Sequence, residues 1–237
     1  MKLVALVALT ALVSGITVGE VEFTSLGKWD QNHAAFLNIE SFEGTDEFIL
    51  VTAFSGIPWV SGTVSIVPDI KNVVNNGDVT GVKGVDLVIP DGVKFAWPND
   101  AKVVPHDVFG YRAIAVPDGF IPPGHNNGGV YLLKMDDSEL TTVTQAVRLA
   151  PAKDGYFYHM GNWVDMNGDG RKDYVIARTD GKAGGGELIW LEHPEDGIAS
   201  APWNEHLITT GPDVCTSVYT MDEYPDEIVL FAAEFFD

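Results

Sequence analysis

The chain contains the stretch Asp165-Met166-Asn167-Gly168-Asp169-Gly170-Arg171-Lys172-Asp173, in which oxygen-bearing side chains stand at relative positions 1, 3, 5 and 9. A hard cation such as Ca²⁺ takes six to eight oxygen ligands at about 2.3–2.6 Å, and a tightly wound acidic loop can supply most of them. Glycines at positions 4 and 6 permit the positive φ angles that so sharp a turn needs. The spacing therefore predicts a calcium-binding loop.

Each ligand of this loop has a predicted role. Side-chain oxygens of Asp165, Asn167 and Asp169 would face inward, the backbone carbonyl of Arg171 would add one ligand, and Asp173 would close the sphere. The alternative is an ordinary Asn-Gly or Asp-Gly turn at the tip of a hairpin. We favour calcium because a plain turn has no need of three carboxylates that repel one another.

The residues on either side of the loop distinguish two classes of calcium site. An EF-hand needs an acidic residue at position 12 and helices on both sides, but position 12 here is Ile176. The flanks Asn162-Trp163-Val164 and Tyr174-Val175-Ile176-Ala177 are rich in aromatic and β-branched residues, which favour strands. We therefore expect a calcium loop inside a β-hairpin.

The acidic loop and the apolar run Tyr174-Val175-Ile176-Ala177 together resemble the calcium loop of FG-GAP/VCBS repeats, the units of integrin-α-type β-propellers. The resemblance covers roughly residues 156–191. It implies that each repeat is one four-stranded blade, in which the acidic loop joins two strands. The expected fold is all-β, a propeller-like array of about three to four such blades.

Degenerate repeats elsewhere in the chain support a repeated architecture. An acidic or turn residue followed by an apolar run recurs at 46–51, 112–116, 173–176 and 226–229, and a Gly-rich turn followed by a short strand recurs at 61–67, 128–133 and 184–191. The acidic loops of the other copies, 43–46, 107–112 and 222–226, keep only some of the ligands. The sequence leaves open whether they bind calcium.

The N-terminus predicts a signal peptide over residues 1–19, because Lys2 precedes an apolar run at 3–13 that is too short to span a bilayer. Residues 20–237 would then form one secreted propeller domain. Few residues follow Asp226, so we expect either a fragment of a longer propeller or closure of the last blade by N-terminal strands. Residues 72–97 are expected to add hairpin strands between blades, and Cys215 to lie in a strand core.

The acidic composition of the chain disfavours two classes of binding partner. The net charge of −20 and the isoelectric point near 4.4 argue against nucleic acid or an anionic membrane as partners. Common motifs of hydrolases, zinc proteases and nucleotide-binding enzymes are absent from the sequence. We therefore predict no catalytic residue, no membrane insertion and no cofactor besides Ca²⁺.

The favoured function is extracellular binding, through adhesion, matrix association or recognition of a protein or carbohydrate ligand. One alternative is a propeller lyase or dehydratase acting on a sugar or polysaccharide, with His33, His106, His125 and His159 as a candidate acid/base cluster. Another is an acidic matrix protein of a calcified tissue. The six tryptophans fit either sugar stacking or packing between blades.

Overall fold

The computed structural model describes residue 25 and residues 34–55, 57, 60–120, 125–221 and 224–236. Within this part of the chain the protein is built mainly from β-strands in four antiparallel sheets. The all-β prediction is therefore confirmed. The predicted signal peptide, residues 1–19, lies outside the described residues.

Three sheets have four strands each, and strand order within each sheet follows the chain. Sheet 1 contains β1 (Ala34–Glu40), β2 (Phe48–Ala53), β3 (Thr63–Val67) and β4 (Val85–Asp86). Sheet 2 contains β5 (Lys102–Val103), β6 (Ala113–Pro117), β7 (Asn127–Met135) and β8 (Val143–Asp154). Sheet 3 contains β9 (Phe157–Val164), β10 (Asp173–Thr179), β11 (Glu187–Glu192) and β12 (Asn204–Thr210). Sheet 4 pairs β13 (Thr216–Met221) with β14 (Tyr224–Ala232).

The degenerate sequence repeats occupy equivalent positions in these sheets. Three of the acidic or turn anchors lead into β2, β6 and β10, and the fourth, 226–229, lies within β14; each of these is the second strand of its sheet. Two of the Gly-rich turns lead into β3 and β11, whereas the glycines of the segment 128–133 lie within β7; each of these is the third strand. The acidic loops of sheets 1, 2 and 3 consequently join the first and second strands.

Successive sheets pack face to face through separate hydrophobic cores. In β6, Ile114 and Val116 face sheet 1, whereas the intervening alanines face sheet 3. In β10, Tyr174 and Ile176 face sheet 2, whereas Val175 and Ala177 face sheet 4. Because side chains alternate along a strand, a strand between two neighbours buries both faces and reads as a continuous apolar run.

Two short α-helices interrupt the strands, α1 (Ile70–Asn76) and α2 (His106–Phe109). The prediction of extra hairpin strands over 72–97 is therefore wrong at its start. At the start of α1, the backbone N–H groups of Asn72 and Val73 donate to the Asp69 carbonyl. The helix ends at Gly77, which has a φ of 66° and donates its N–H to the Val74 carbonyl. Ile70, Val73 and Val74 have helical spacing, but a helix of seven residues is too short for that pattern to stand out, and none of its side chains is fully buried.

Cys215 is exposed and precedes the first residue of β13, so its predicted place in a strand core is wrong. Sheet 4 also presents apolar side chains to solvent, since Tyr219 is 56% and Phe231 60% exposed. None of the helices among the described residues is long and apolar enough to cross a membrane.

Candidate functional site

The acidic loop joins β9 to β10 within an antiparallel hairpin, as the strand-forming flanks predict. The Asp165 carboxylate accepts hydrogen bonds from the backbone N–H groups of Gly168 (2.7 Å), Asp169 (3.2 Å) and Gly170 (2.8 Å). Gly168 and Gly170 have φ angles of 77° and 87°, which disfavour other residues. The Asp165 side chain therefore turns into the loop and holds it in a tight coil.

Asn167 and Asp169 continue this pattern one turn further along the loop. The Asn167 side-chain oxygen accepts from the Asp169 N–H at 3.0 Å, and the Asp169 carboxylate accepts from the Arg171 N–H at 2.8 Å. The Asn167 amide also lies 3.2 Å from the Asp169 carboxylate. Chiefly because of the Arg171 N–H, the pKa of Asp169 is below its usual value.

Asp173 forms the buried base of the loop. Its carboxylate accepts two backbone hydrogen bonds of 2.8 Å, one from Met166 inside the loop and one from His193 after β11. Burial raises the pKa of Asp173, the two N–H groups oppose that rise, and the charges of Asp169 and Asp165 add to it. The three carboxylates of the loop therefore repel one another.

Arg171 has a side-chain role that the sequence did not predict. Its guanidinium forms an ion pair with Asp169, and its Nε donates to the His193 carbonyl at 3.0 Å. The Arg171 backbone carbonyl, the predicted ligand, has no hydrogen-bond partner among the described residues. The loop thus carries one internal positive charge beside its carboxylates.

The donor chemistry of the loop fits a hard cation, because Asp165, Asn167, Asp169 and Asp173 all offer oxygen atoms. Each carboxylate oxygen that accepts one N–H retains a second lone pair. In the described part of the chain, however, no set of three or more His, Cys, Asp or Glu side chains is already gathered at metal-ligand positions. The loop therefore has the tight coil of a metal-binding loop. Its side-chain oxygens accept hydrogen bonds from backbone N–H groups, and the Asp169 carboxylate pairs with the Arg171 guanidinium.

The loop is joined to sheet 2 through α2. Lys172 forms a 2.8 Å ion pair with Asp107, and the His193 ring contacts Phe109 edge-on at 5.1 Å. His193 also stacks on Trp203 at 4.7 Å, and burial lowers its pKa. His193 is a site residue that sequence inspection missed, since its link to Asp173 depends on the pairing of β10 with β11.

An open groove of about 610 Å³ lies on the other side of α2, between sheets 1 and 2. The β1–β2 loop forms one wall, and α2 with Tyr111 and Arg112 forms the other. The His106 Nδ1 atom of α2 lies 2.9 Å from a carboxylate oxygen of Glu43 across this groove. Two of the degenerate acidic loops therefore contribute to the groove.

The candidate histidines contact different neighbours. His106 pairs with Glu43, His125 stacks on Trp97 at 4.0 Å, and His159 is buried against Phe36 at 5.3 Å. No described contact joins any two of them. His33 lies outside the described residues, as does Asp222, the first residue of the last degenerate loop.

Neither a family model, nor a curated protein, nor a solved structure matches this chain. Inferences about its function therefore rest on its own residues and their geometry.

Proposed function

We propose that this chain is a secreted, calcium-stabilised β-propeller-type protein of the FG-GAP/VCBS kind that binds an extracellular protein or carbohydrate. The observation that carries the proposal is the coiled loop 165–173, in which the Asp165 carboxylate turns inward onto the loop amides and the buried Asp173 carboxylate accepts the Met166 N–H. Such a loop concentrates negative charge at one end of a hairpin, where a divalent cation would relieve the repulsion.

Contacts among the first strands of the sheets support the propeller arrangement. Asn38 of β1 donates to Asp100, just before β5, at 2.6 Å, and Asn162 of β9 donates to Thr216 of β13 at 2.8 Å. Phe36 of β1 also meets His159 of β9. Sheets that pack in sequence and bring their first strands together are arranged around a common axis, as blades are.

A bound ion would be held by Asp165, Asn167, Asp169 and Asp173 side chains and the Arg171 carbonyl. It would neutralise the repulsion from Asp169 and Asp165 that adds to the effect of burial on the pKa of Asp173, and the Arg171 guanidinium would no longer be needed beside Asp169. Because Lys172 and His193 link the loop to α2, ordering of the loop also steadies one wall of the groove. Calcium thus supports a binding surface and takes no part in chemistry.

The test compares thermal unfolding in millimolar calcium with unfolding in EDTA. A ligand present at a thousandfold above its dissociation constant stabilises the folded state by about 4 kcal/mol, which corresponds to roughly 8–16 °C for a domain of this size. We expect wild type to show a clear rise in melting temperature with calcium and Asp169→Ala to show none.

Asp136→Ala is the matched control for this experiment. Asp136 also accepts backbone hydrogen bonds in an exposed turn, from Ser138 and Glu139, but its turn lacks the alternating ligand pattern. Its variant should keep the full calcium response. Equal melting temperatures for wild type in calcium and in EDTA would contradict the proposal.

A further inference from the structure

A second cavity, of about 350 Å³, lies where the four sheets meet. Its wall includes residues from the first strand of every sheet together with one side chain from β10: Glu40, Lys102, Asn162, Trp163, Tyr174 and Val218. It shares Glu40, Val103 and Pro105 with the larger groove beside α2. The central cavity and the groove are therefore adjacent.

Tyr174 brings an unused polar group to this cavity. Its side chain is only 2% exposed, yet no described residue forms a hydrogen bond with its hydroxyl. The ring lies over Gly161, where a β-carbon on the glycine would overlap the hydroxyl end of the tyrosine. The hydroxyl is not one of the fully enclosed unpaired polar atoms of the described residues, so it opens into the cavity, where a ligand can form a hydrogen bond with it.

The neighbouring groups give the cavity both donors and acceptors. Glu40 is half-buried, and burial raises its pKa to about 7, so at neutral pH its carboxyl group both donates and accepts. Lys102 lies 3.6 Å from the buried Asp100 carboxylate. Asn162 uses its NH₂ group on Thr216, which leaves its carbonyl oxygen for another donor.

The charged side chains around the central cavity disfavour charged ligands. A cation would compete with Lys102 for the carboxylates, and an anion would meet Glu40 and Asp100 within a protein of net charge −20. Trp163 supplies a half-buried aromatic side chain on the same wall, 4.7 Å from the Tyr174 ring. Aromatic surface beside mixed hydrogen-bonding groups suits a ring with apolar faces and hydroxyl edges.

We propose that the central cavity binds one neutral sugar ring, held by the Tyr174 hydroxyl, the Glu40 carboxyl group, Lys102 and the Asn162 carbonyl against Trp163. The inference rests on the proposed binding function, for which it names the ligand class and the site. The groove beside α2 would hold the rest of a glycan whose terminal unit enters the cavity.

The experiment is a calorimetric or ligand-observed NMR titration of the full chain with glucose, galactose, mannose and N-acetylglucosamine, and with glucuronate and glucosamine as charged analogues. For a ligand of this size we expect a dissociation constant on the order of 1 mM for at least one neutral sugar. Binding of its charged analogue should be at least about tenfold weaker.

Tyr174→Phe keeps the ring on Gly161 and removes only the hydroxyl, so it should weaken binding about tenfold without unfolding the protein. Tyr219→Phe, on the exposed face of β13, is the matched control and should bind as wild type does. Glu40→Ala provides a second test that does not touch the β9–β10 hairpin, and it should also weaken binding because it removes both the donor and the acceptor.

Absence of saturable binding to all four neutral sugars would overturn this inference, as would wild-type affinity in both Tyr174→Phe and Glu40→Ala. Stronger binding of a charged analogue would do the same. Sugar binding in EDTA, together with equal melting temperatures in calcium and in EDTA, would overturn the calcium proposal and support the central site. A rise in melting temperature with calcium, without any sugar binding, would support the calcium proposal and overturn the sugar site.

Discussion

At the scale of single residues, three buried aspartates use their carboxylates to hold backbone segments in place. Asp118 accepts N–H groups of Ala96 and Gly129, and Asp173 accepts those of Met166 and His193. Asp213 binds the backbone of residues 235 and 236 in the same way. Asp173 therefore has a structural task whether or not an ion is present, whereas Asp169 is tied only to its own exposed loop.

Asp173→Ala should lower the free energy of unfolding by about 2–4 kcal/mol in EDTA, because two backbone N–H groups lose their acceptors, and by more in calcium, because a proposed ligand of the ion is lost as well. Urea unfolding in both buffers measures the change. Asp118→Ala is the control, since it removes the same kind of carboxylate far from the acidic loop and should cost a similar amount in both buffers. A loss confined to the calcium buffer would show that Asp173 acts only through the ion.

Glu40 gives a prediction about pH. Its pKa rises from 4.5 to about 7, mainly through burial, so the folded state binds this proton more tightly than the unfolded state. Its favourable contribution is therefore complete below pH 4.5 and disappears as the pH rises through 7. Because the side chain is half-exposed, we expect an effect of about 1 kcal/mol after solvent screening.

The measurement is urea unfolding of wild type and Glu40→Gln between pH 4 and 8, with the difference in free energy plotted against pH. Subtraction removes other titrating groups, including His159, whose pKa is lowered by burial. The wild-type advantage should fall as pH rises. A flat difference would show that Glu40 titrates normally in the folded protein.

At the scale of elements, the sequence predicted those parts whose signal is local. The acidic loop and the strands at the four anchors were found because ligand spacing and continuous apolar runs are visible in neighbouring residues. Helix α1 was missed because it packs no side chain into a core. The central cavity was missed because Glu40, Lys102 and Tyr174 come together only through the meeting of distant strands.

Contact between Gly161 and Tyr174 sets how β9 and β10 fit together. The Tyr174 ring leans diagonally over Gly161, which pairs with Ile176 in the register. Gly161→Ala should therefore displace the ring and lower the free energy of unfolding by about 1–3 kcal/mol. Calorimetry or urea unfolding measures this loss.

A double variant provides the control for that prediction. With Tyr174→Leu already in place, adding Gly161→Ala should cost much less than it does in wild type, because the overlapping ring atoms are gone. Equal costs in the two backgrounds would place the strain elsewhere in the hairpin.

At the scale of the whole molecule, sheets 2 and 3 each contribute to two hydrophobic cores. Loss of one sheet would expose the faces of both its neighbours, so the described sheets should unfold together. Tryptophan fluorescence, which reports on Trp97 near sheet 1 and on Trp163 and Trp203 beside sheet 3, should change at the same urea concentration as far-ultraviolet circular dichroism. Separate midpoints would contradict a single cooperative unit.

Sheet 4 turns the aromatic side chains of Tyr219 and Phe231 toward solvent, and β1 exposes Leu37 and Ile39. In dilute buffer the net charge of −20 keeps copies of the chain apart. Concentrated ammonium sulfate screens those charges and strengthens apolar attraction together. Phenyl-substituted chromatography media should therefore retain the protein through these exposed apolar side chains.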